Sequence, residues 1–166
     1  MPTHAIPYPR GSGLSRWLIV GVVSGAASVL VFHQPVVEVF RAFALTHGIP
    51  YSLQPTRPLG VPQVWSLVFW GGVWGALLAA TLARLDGARL LLASLVFGAV
   101  APTLVAWFLV APLKGQAVAG GWMAAAIALA LLANSAWGLG TGIGLALFGH
   151  PGRRANPRAP RERAHG

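Results

Sequence analysis

Residues 122–148 read WMAAAIALALLANSAWGLGTGIGLALF, a run of 27 without one charged side chain. A helix rises about 1.5 Å per residue and the hydrocarbon core of a bilayer is about 30 Å thick, so about 20 apolar residues suffice to cross it. Lipid offers the backbone no hydrogen-bond partners, so a run of this length must satisfy its own N–H and C=O groups as a helix. Ten-residue blocks of alternating polarity, which a membrane strand would need, are absent. Three more stretches pass the same test. They run from Trp17 to about Val37 (with His33, Gln34 and Pro35 in the last turn), from about Gln63 to Ala83, and from Leu90 to about Ala111. The sequence thus predicts an all-α polytopic membrane protein with four transmembrane helices, at about 17–37, 63–83, 90–111 and 122–148. A loop over 38–62, an N-terminal flank over 1–16 and a disordered basic tail over 149–166 complete it.

Composition agrees. Of 166 residues 55% are hydrophobic and 9% charged, against about 25% charged in soluble domains. The mean hydropathy is +0.66. So few charges cannot clothe a water-soluble enzyme. The absence of cysteine excludes disulfides, thiolate metal sites and a thiol nucleophile. Arg10 and Arg16 before an apolar core, with Ser24-Gly25-Ala26 after it, also fit a cleaved signal peptide. The apolar stretch continues through Val29, Leu30, Val31 and Phe32, further than a signal peptide needs, and we read it as a retained helix.

Basic residues set the orientation. Arg10, Arg16, Arg84, Arg89, Arg153, Arg154, Arg158, Arg161 and Arg163 fall on one side of a four-span chain; Arg41, Arg57 and Lys114 fall on the other. Nine against three places both termini in the cytoplasm and the 38–62 loop in the periplasm. The tail has no apolar residue larger than Ala or Pro with which to build a core and no aromatic residue to stack on a base, so its arginines point to anionic lipid headgroups and not to nucleic acid.

The turn between Arg84 and Arg89 is short, which makes the second and third helices antiparallel neighbours. After it enters the loop, the chain carries Val36, Val37, Phe40 and Phe43 interleaved with Glu38 and Arg41, the spacing of a short helix lying in the interface. Pro50, Pro55, Pro58 and Pro62 then favour an extended, polyproline-like path over helix or sheet, with Tyr51 and Trp65 as headgroup-level anchors.

Small residues recur every fourth position. Ala126, Ala130, Asn134, Gly138, Gly142 and Ala146 form one ridge; Gly71, Gly75, Ala79 and Ala83 form another. Gly21 and Gly25 stand in the first helix, and Ser94, Gly98, Pro102 and Ala106 in the third. Such ridges let backbones approach where lipid offers no solvophobic drive, and Gly72 with Ala76 gives the second helix a further small face for an outside partner. Pro102 removes a backbone donor and predicts a kink, with Thr103 placed to return a hydrogen bond. The dipeptides Trp74-Gly75 and Trp137-Gly138 recur in helices of the same direction; in a chain so rich in Trp and Gly we read this as coincidence. The glycines at 138, 140, 142 and 144 lie inside an apolar helix without a preceding strand and are not a dinucleotide loop.

Polar groups at membrane depth are the candidate site. They are Asn134 in the fourth helix and, at the outer boundary, His33, Gln34, Glu38 and His47, with Tyr51 and Arg57 nearby. Asn134 reads as an interhelical hydrogen-bonding group, and His33 as a helix-end histidine bonded to backbone or water. A metal site would need His33, Glu38 and His47 together, and no metal or other cofactor is expected. The three acidic residues, Glu38, Asp86 and Glu162, supply no carboxylate pair and no mid-membrane proton relay, unlike small multidrug exporters with a glutamate in the first helix.

Leu59-Gly60-Val61-Pro62-Gln63, Phe69-Trp70-Gly71-Gly72-Val73-Trp74-Gly75, Pro112-Leu113-Lys114-Gly115 and Ala136-Trp137-Gly138 together resemble a family of small four-helix bacterial inner-membrane proteins of unassigned function. The resemblance covers about Trp17 to Gly149. It implies four helices in that membrane and carries no catalytic residues onto this chain. The expectation is a non-enzymatic structural or accessory subunit, self-associated or beside a larger membrane partner. The alternatives are an oligomeric permeation protein and, last, an enzyme built on the outer His/Glu cluster. The charge asymmetry makes one direct prediction: a reporter fused after Gly166 stays on the cytoplasmic side, and its appearance in the periplasm refutes the orientation.

Overall fold

The computed structural model describes residues 12–57 and 59–149. The basic tail with Arg153, Arg154, Arg158, Arg161 and Arg163 lies outside the described residues, as does most of the N-terminal flank. Four helices are long and apolar enough to cross a membrane: α1 (Gly13–Ala42), α2 (Gln63–Leu82), α3 (Gly87–Leu113) and α4 (Ala124–Gly149). Their outer surface is apolar, with Ile19, Val31, Phe69, Leu92, Leu104, Phe108 and Leu147 all exposed. A water-soluble fold would bury such side chains; this one buries small residues, two tryptophans and a few aliphatic side chains, Val29, Leu78, Leu90 and Leu145.

The first helix is longer than predicted at both ends. It starts before Trp17, and it absorbs the segment expected to lie separately in the interface. The reason is a π-helical turn at Val29–His33, in which the Gln34 N–H reaches the Val29 carbonyl. Pro35 follows two residues later. A proline ring strikes the carbonyl four residues back, here Val31, and widening the turn by one residue moves that carbonyl away. The same device occurs in α3, where Ala106–Val110 is π-helical, the Ala111 N–H reaches the Ala106 carbonyl, and Pro112 follows. Both helices therefore pass through their prolines instead of stopping. α3 also continues past Pro102, and so spans Gly87–Leu113 where 90–111 was expected.

The fourth helix begins at Ala124, not Trp122, because Ala119, Gly120, Gly121 and Trp122 take left-handed backbone angles in the turn before it. The second ends at Leu82, one residue short of expectation. The proline-rich loop also departs from the extended path. Pro55–Thr56 (β1) and Val61–Pro62 (β2) pair antiparallel, closed by a Gly60 N–H to Thr56 carbonyl bond of 2.7 Å. The loop then supplies acceptors to the start of α2: the Gln54 carbonyl takes the Gln63 N–H and the Ser52 carbonyl takes that of Val64. These are donors that a helix start leaves orphaned.

The packing order corrects the expected neighbours. α1 lies along α2, α3 along α4, and α1 against α4, whereas α2 and α3 touch sparsely despite their short connection. Their contact includes an edge-to-face pair of Trp74 and Phe97 with ring centroids 6.1 Å apart. The fold is thus two helical hairpins joined through α1 and α4.

Glycine makes both hairpins close. A Cβ on Gly25 would overlap the Gly71 carbonyl oxygen and stand 2.8 Å from the Gly75 Cα; one on Gly138 would overlap the Ser94 carbonyl oxygen and stand 2.9 Å from the Gly98 Cα. No side chain can retreat from a clash with backbone. Gly72 differs, since its Cβ would meet Val22 at an ordinary 3.4 Å. Gly25→Ala and Gly138→Ala should each cost about 1–3 kcal/mol by overpacking, while Gly72→Ala should be neutral or slightly stabilising through helix propensity. Thermal unfolding in detergent measures this, and equal losses at all three positions would contradict the crossing geometry.

Candidate functional site

The polar residues singled out in the sequence do not converge. Gln34 is buried; its Oε1 accepts the Tyr51 N–H at 2.7 Å, and its Nε2 lies 3.4 Å from His33 Nδ1. The Tyr51 hydroxyl donates to the Leu30 carbonyl at 2.8 Å. These bonds tie the loop to α1 directly beside the π turn, where the widened backbone leaves carbonyls accessible. Glu38 faces Arg41 at 3.9 Å on an exposed surface, and His47 and Arg57 are exposed. Among the described residues, no three His, Asp or Glu side chains are grouped so as to hold a metal ion. The outer constellation is therefore a loop clasp of His33, Gln34 and Tyr51, with Glu38 and His47 outside it.

Asn134 sits elsewhere, in α4, and its Nδ2 donates to the Thr103 hydroxyl of α3 at 2.8 Å. Thr103 thus serves the neighbouring helix as an acceptor; the hydrogen bond it was expected to return near Pro102 is a bond across the hairpin. Deeper in, the interior is organised by tryptophans that the sequence reading did not select. The Trp137 indole Nε1 donates to the Gly25 carbonyl at 2.8 Å, and the Trp137 carbonyl accepts from Ser28 Oγ at 2.7 Å and Thr141 Oγ1 at 2.9 Å. One residue of α4 is thereby bonded twice to α1, while its indole also lies against Gly71 of α2. Towards the end holding the α2–α3 turn, Trp17 Nε1 donates to the Ala79 carbonyl at 2.6 Å, and its ring fills the space over Gly149. The signal for both was their indole N–H, a donor that a buried tryptophan must place. Ser94 Oγ is fully buried against Gly142 with no partner.

The geometry repeats itself. Gly75 meets the Gly21 carbonyl and the Gly25 Cα; Gly138 meets the Ser94 carbonyl and the Gly98 Cα. Gly25 meets the Gly71 carbonyl and the Gly75 Cα; Gly98 meets the Asn134 carbonyl and the Gly138 Cα. The first helix of each hairpin thus aligns Gly21 with Ser94 and Gly25 with Gly98, and the second aligns Gly71 with Asn134 and Gly75 with Gly138. The two Trp-Gly dipeptides, read from sequence as coincidence, fall at equivalent places. Each tryptophan reaches from its own hairpin to the other, Trp137 to Gly25 and Trp74 to Phe97.

Comparison with protein families, with characterised proteins and with solved structures finds no match to this chain.

The arrangement can do one thing well: hold helices together through short polar bonds and backbone contact. Asn134→Leu and Thr103→Val should each destabilise the chain, and a double-mutant cycle should return a coupling of about 1 kcal/mol, the range of interhelical hydrogen bonds in membranes. Zero coupling, measured by unfolding in mixed micelles, would show that the pair does not form.

Proposed function

We propose that this chain is a multi-pass protein of the bacterial inner membrane that acts by packing, as a structural or accessory subunit, and performs no catalysis. Both termini lie in the cytoplasm on this reading, with the basic tail against anionic lipid headgroups. The observation that carries it is the use made of the interior polar groups. Trp17, Ser28, Trp137 and the Asn134–Thr103 pair each bond one helix to another, which is what a packing protein requires and what a solvated path would interrupt. The described acidic residues point the same way: Glu38 is exposed beside Arg41, and Asp86 is exposed in the α2–α3 turn, so neither faces the helix crossings. Membrane insertion is supported by four long apolar helices with an apolar outer surface.

The competing permeation reading makes Asn134 and His33 parts of a path. Vesicles reconstituted with the full chain should leak small solutes no faster than empty vesicles, and Asn134→Leu or His33→Ala should change nothing. A leak that Asn134→Leu abolishes would overturn the packing reading.

A further inference from the structure

At the side away from the α2–α3 turn the first two helices do not end level. α2 has 20 residues, against 30, 27 and 26 in α1, α3 and α4. Gly25 packs between Gly71 and Gly75, and counting equal numbers of residues outward from that crossing sets Gln63, the first residue of α2, level with about Pro35 of α1. α1 runs on to Ala42, about 10 Å further at about 1.5 Å per residue.

The bilayer edge can be placed on α1 itself. Residues 17–37, between Arg16 and Glu38, contain no Lys, Arg, Asp or Glu, and they measure about 30 Å, one hydrocarbon thickness. Glu38 and Arg41, paired and half-exposed, mark the start of the wet layer. The start of α2 therefore lies inside that edge. So does the loop before it: the Tyr51 N–H bonds the side chain of Gln34, about 6 Å inward of Glu38, and the Tyr51 hydroxyl bonds the Leu30 carbonyl, about one turn deeper. The two rulers, helix crossing and loop contact, give the same level.

Irregular backbone at this depth persists only where protein meets its polar groups. Here the Gln34 side chain takes the Tyr51 N–H, and the Ser52 and Gln54 carbonyls take the Val64 and Gln63 N–H groups. The Gly60 N–H and the Thr56 hydroxyl close the short hairpin on the Thr56 and Val61 carbonyls. α1 gains in return. The Leu30 carbonyl lacks its helical donors, because the π turn draws the Gln34 N–H to Val29 and Pro35 carries no N–H; the Tyr51 hydroxyl replaces them.

Apolar side chains of the loop sort the other way. Ser52 is buried, whereas Ile49, Leu53 and Leu59 all face outward, Leu59 being 84% exposed. A loop in water gains by turning such residues in, and one in lipid gains by turning them out. Arg57, in the turn between β1 and β2, is exposed, and so long a side chain can carry its charge to the headgroups.

We propose that residues 49–57 and 59–62 belong to a re-entrant cap, a non-helical piece of chain that stands on the short α2 inside the bilayer edge and presents Ile49, Leu53 and Leu59 to lipid acyl chains. The proposal rests on the membrane reading above and extends it, since a connection between helices becomes part of the lipid-facing surface.

The chain has no cysteine of its own, so single sites can be labelled. Full-length Leu53→Cys, Leu59→Cys, His47→Cys and Val23→Cys chains are given a nitroxide and reconstituted into phosphatidylcholine vesicles. Collisions of the nitroxide with oxygen, which concentrates in lipid, are compared with those of a neutral, water-soluble nickel chelate. The oxygen-to-nickel ratio at Leu53 and Leu59 should stand several-fold above that at His47, which is exposed in the same loop, and approach that at Val23, exposed midway along α1. Nickel favoured at either of the two leucine positions, with oxygen favoured at Val23, puts the loop in water and refutes the cap alone. Weak collision with both agents at either leucine position shows a protein cover and refutes it too. Nickel favoured at Val23 as well refutes the membrane reading itself.

Discussion

Backbone-to-backbone contact at four mid-helix glycines is the constraint from which the rest of the structure follows. Gly25 with Gly75, and Gly98 with Gly138, bring pairs of helices so close that any Cβ would intrude on a neighbouring peptide. Two apolar helices in an apolar solvent gain little from burial, and their association depends on dispersion contact and on the few hydrogen bonds available. Removing side chains from the crossing serves both. It multiplies atom–atom contacts, and it exposes carbonyls that a distant helix could not otherwise reach. Trp137 exploits this directly, since the Gly25 carbonyl accepts its indole N–H only because no side chain stands between them.

The two hairpins share that crossing and differ in how they meet. Between α1 and α4 the contacts are Ser24, Ser28, Gly140 and Gly144, and the helices close; between α2 and α3 they include the edge-to-face rings of Trp74 and Phe97, and the helices touch sparsely. One architecture, repeated, thus acquires a closed seam and an open one through the size of a few side chains.

Proline shapes the helices without ending them. Each of Pro35 and Pro112 lies two residues beyond a π-helical turn, and the extra residue relieves the clash of the ring with the carbonyl behind it. In α1 this has a further result. The widened turn is where Tyr51 finds the Leu30 carbonyl and where Gln34 receives the Tyr51 backbone, so one proline both lengthens the helix and anchors the loop.

Much of this was legible before any coordinates. Number and approximate extent of the helices follow from apolar run length, because a helix crossing lipid must be long and uncharged whatever it packs against. The four-residue spacing of Gly21, Gly25, Gly71, Gly75, Gly98, Gly138 and Gly142 was likewise visible, since it is a property of each helix alone. Which ridge meets which was not. That Gly25 faces Gly71 and Gly75, that α2 avoids its sequence neighbour α3, and that Asn134 selects Thr103 all depend on side-chain sizes distant in the chain. The outer polar residues show the same division: composition grouped His33, Gln34, Glu38 and His47 by proximity in sequence, while the path of α1 through Pro35 kept His33 and Gln34 at the loop and left Glu38 and His47 on the exposed surface. Local pattern determines what a segment becomes; only the simultaneous packing of all four helices determines what it touches.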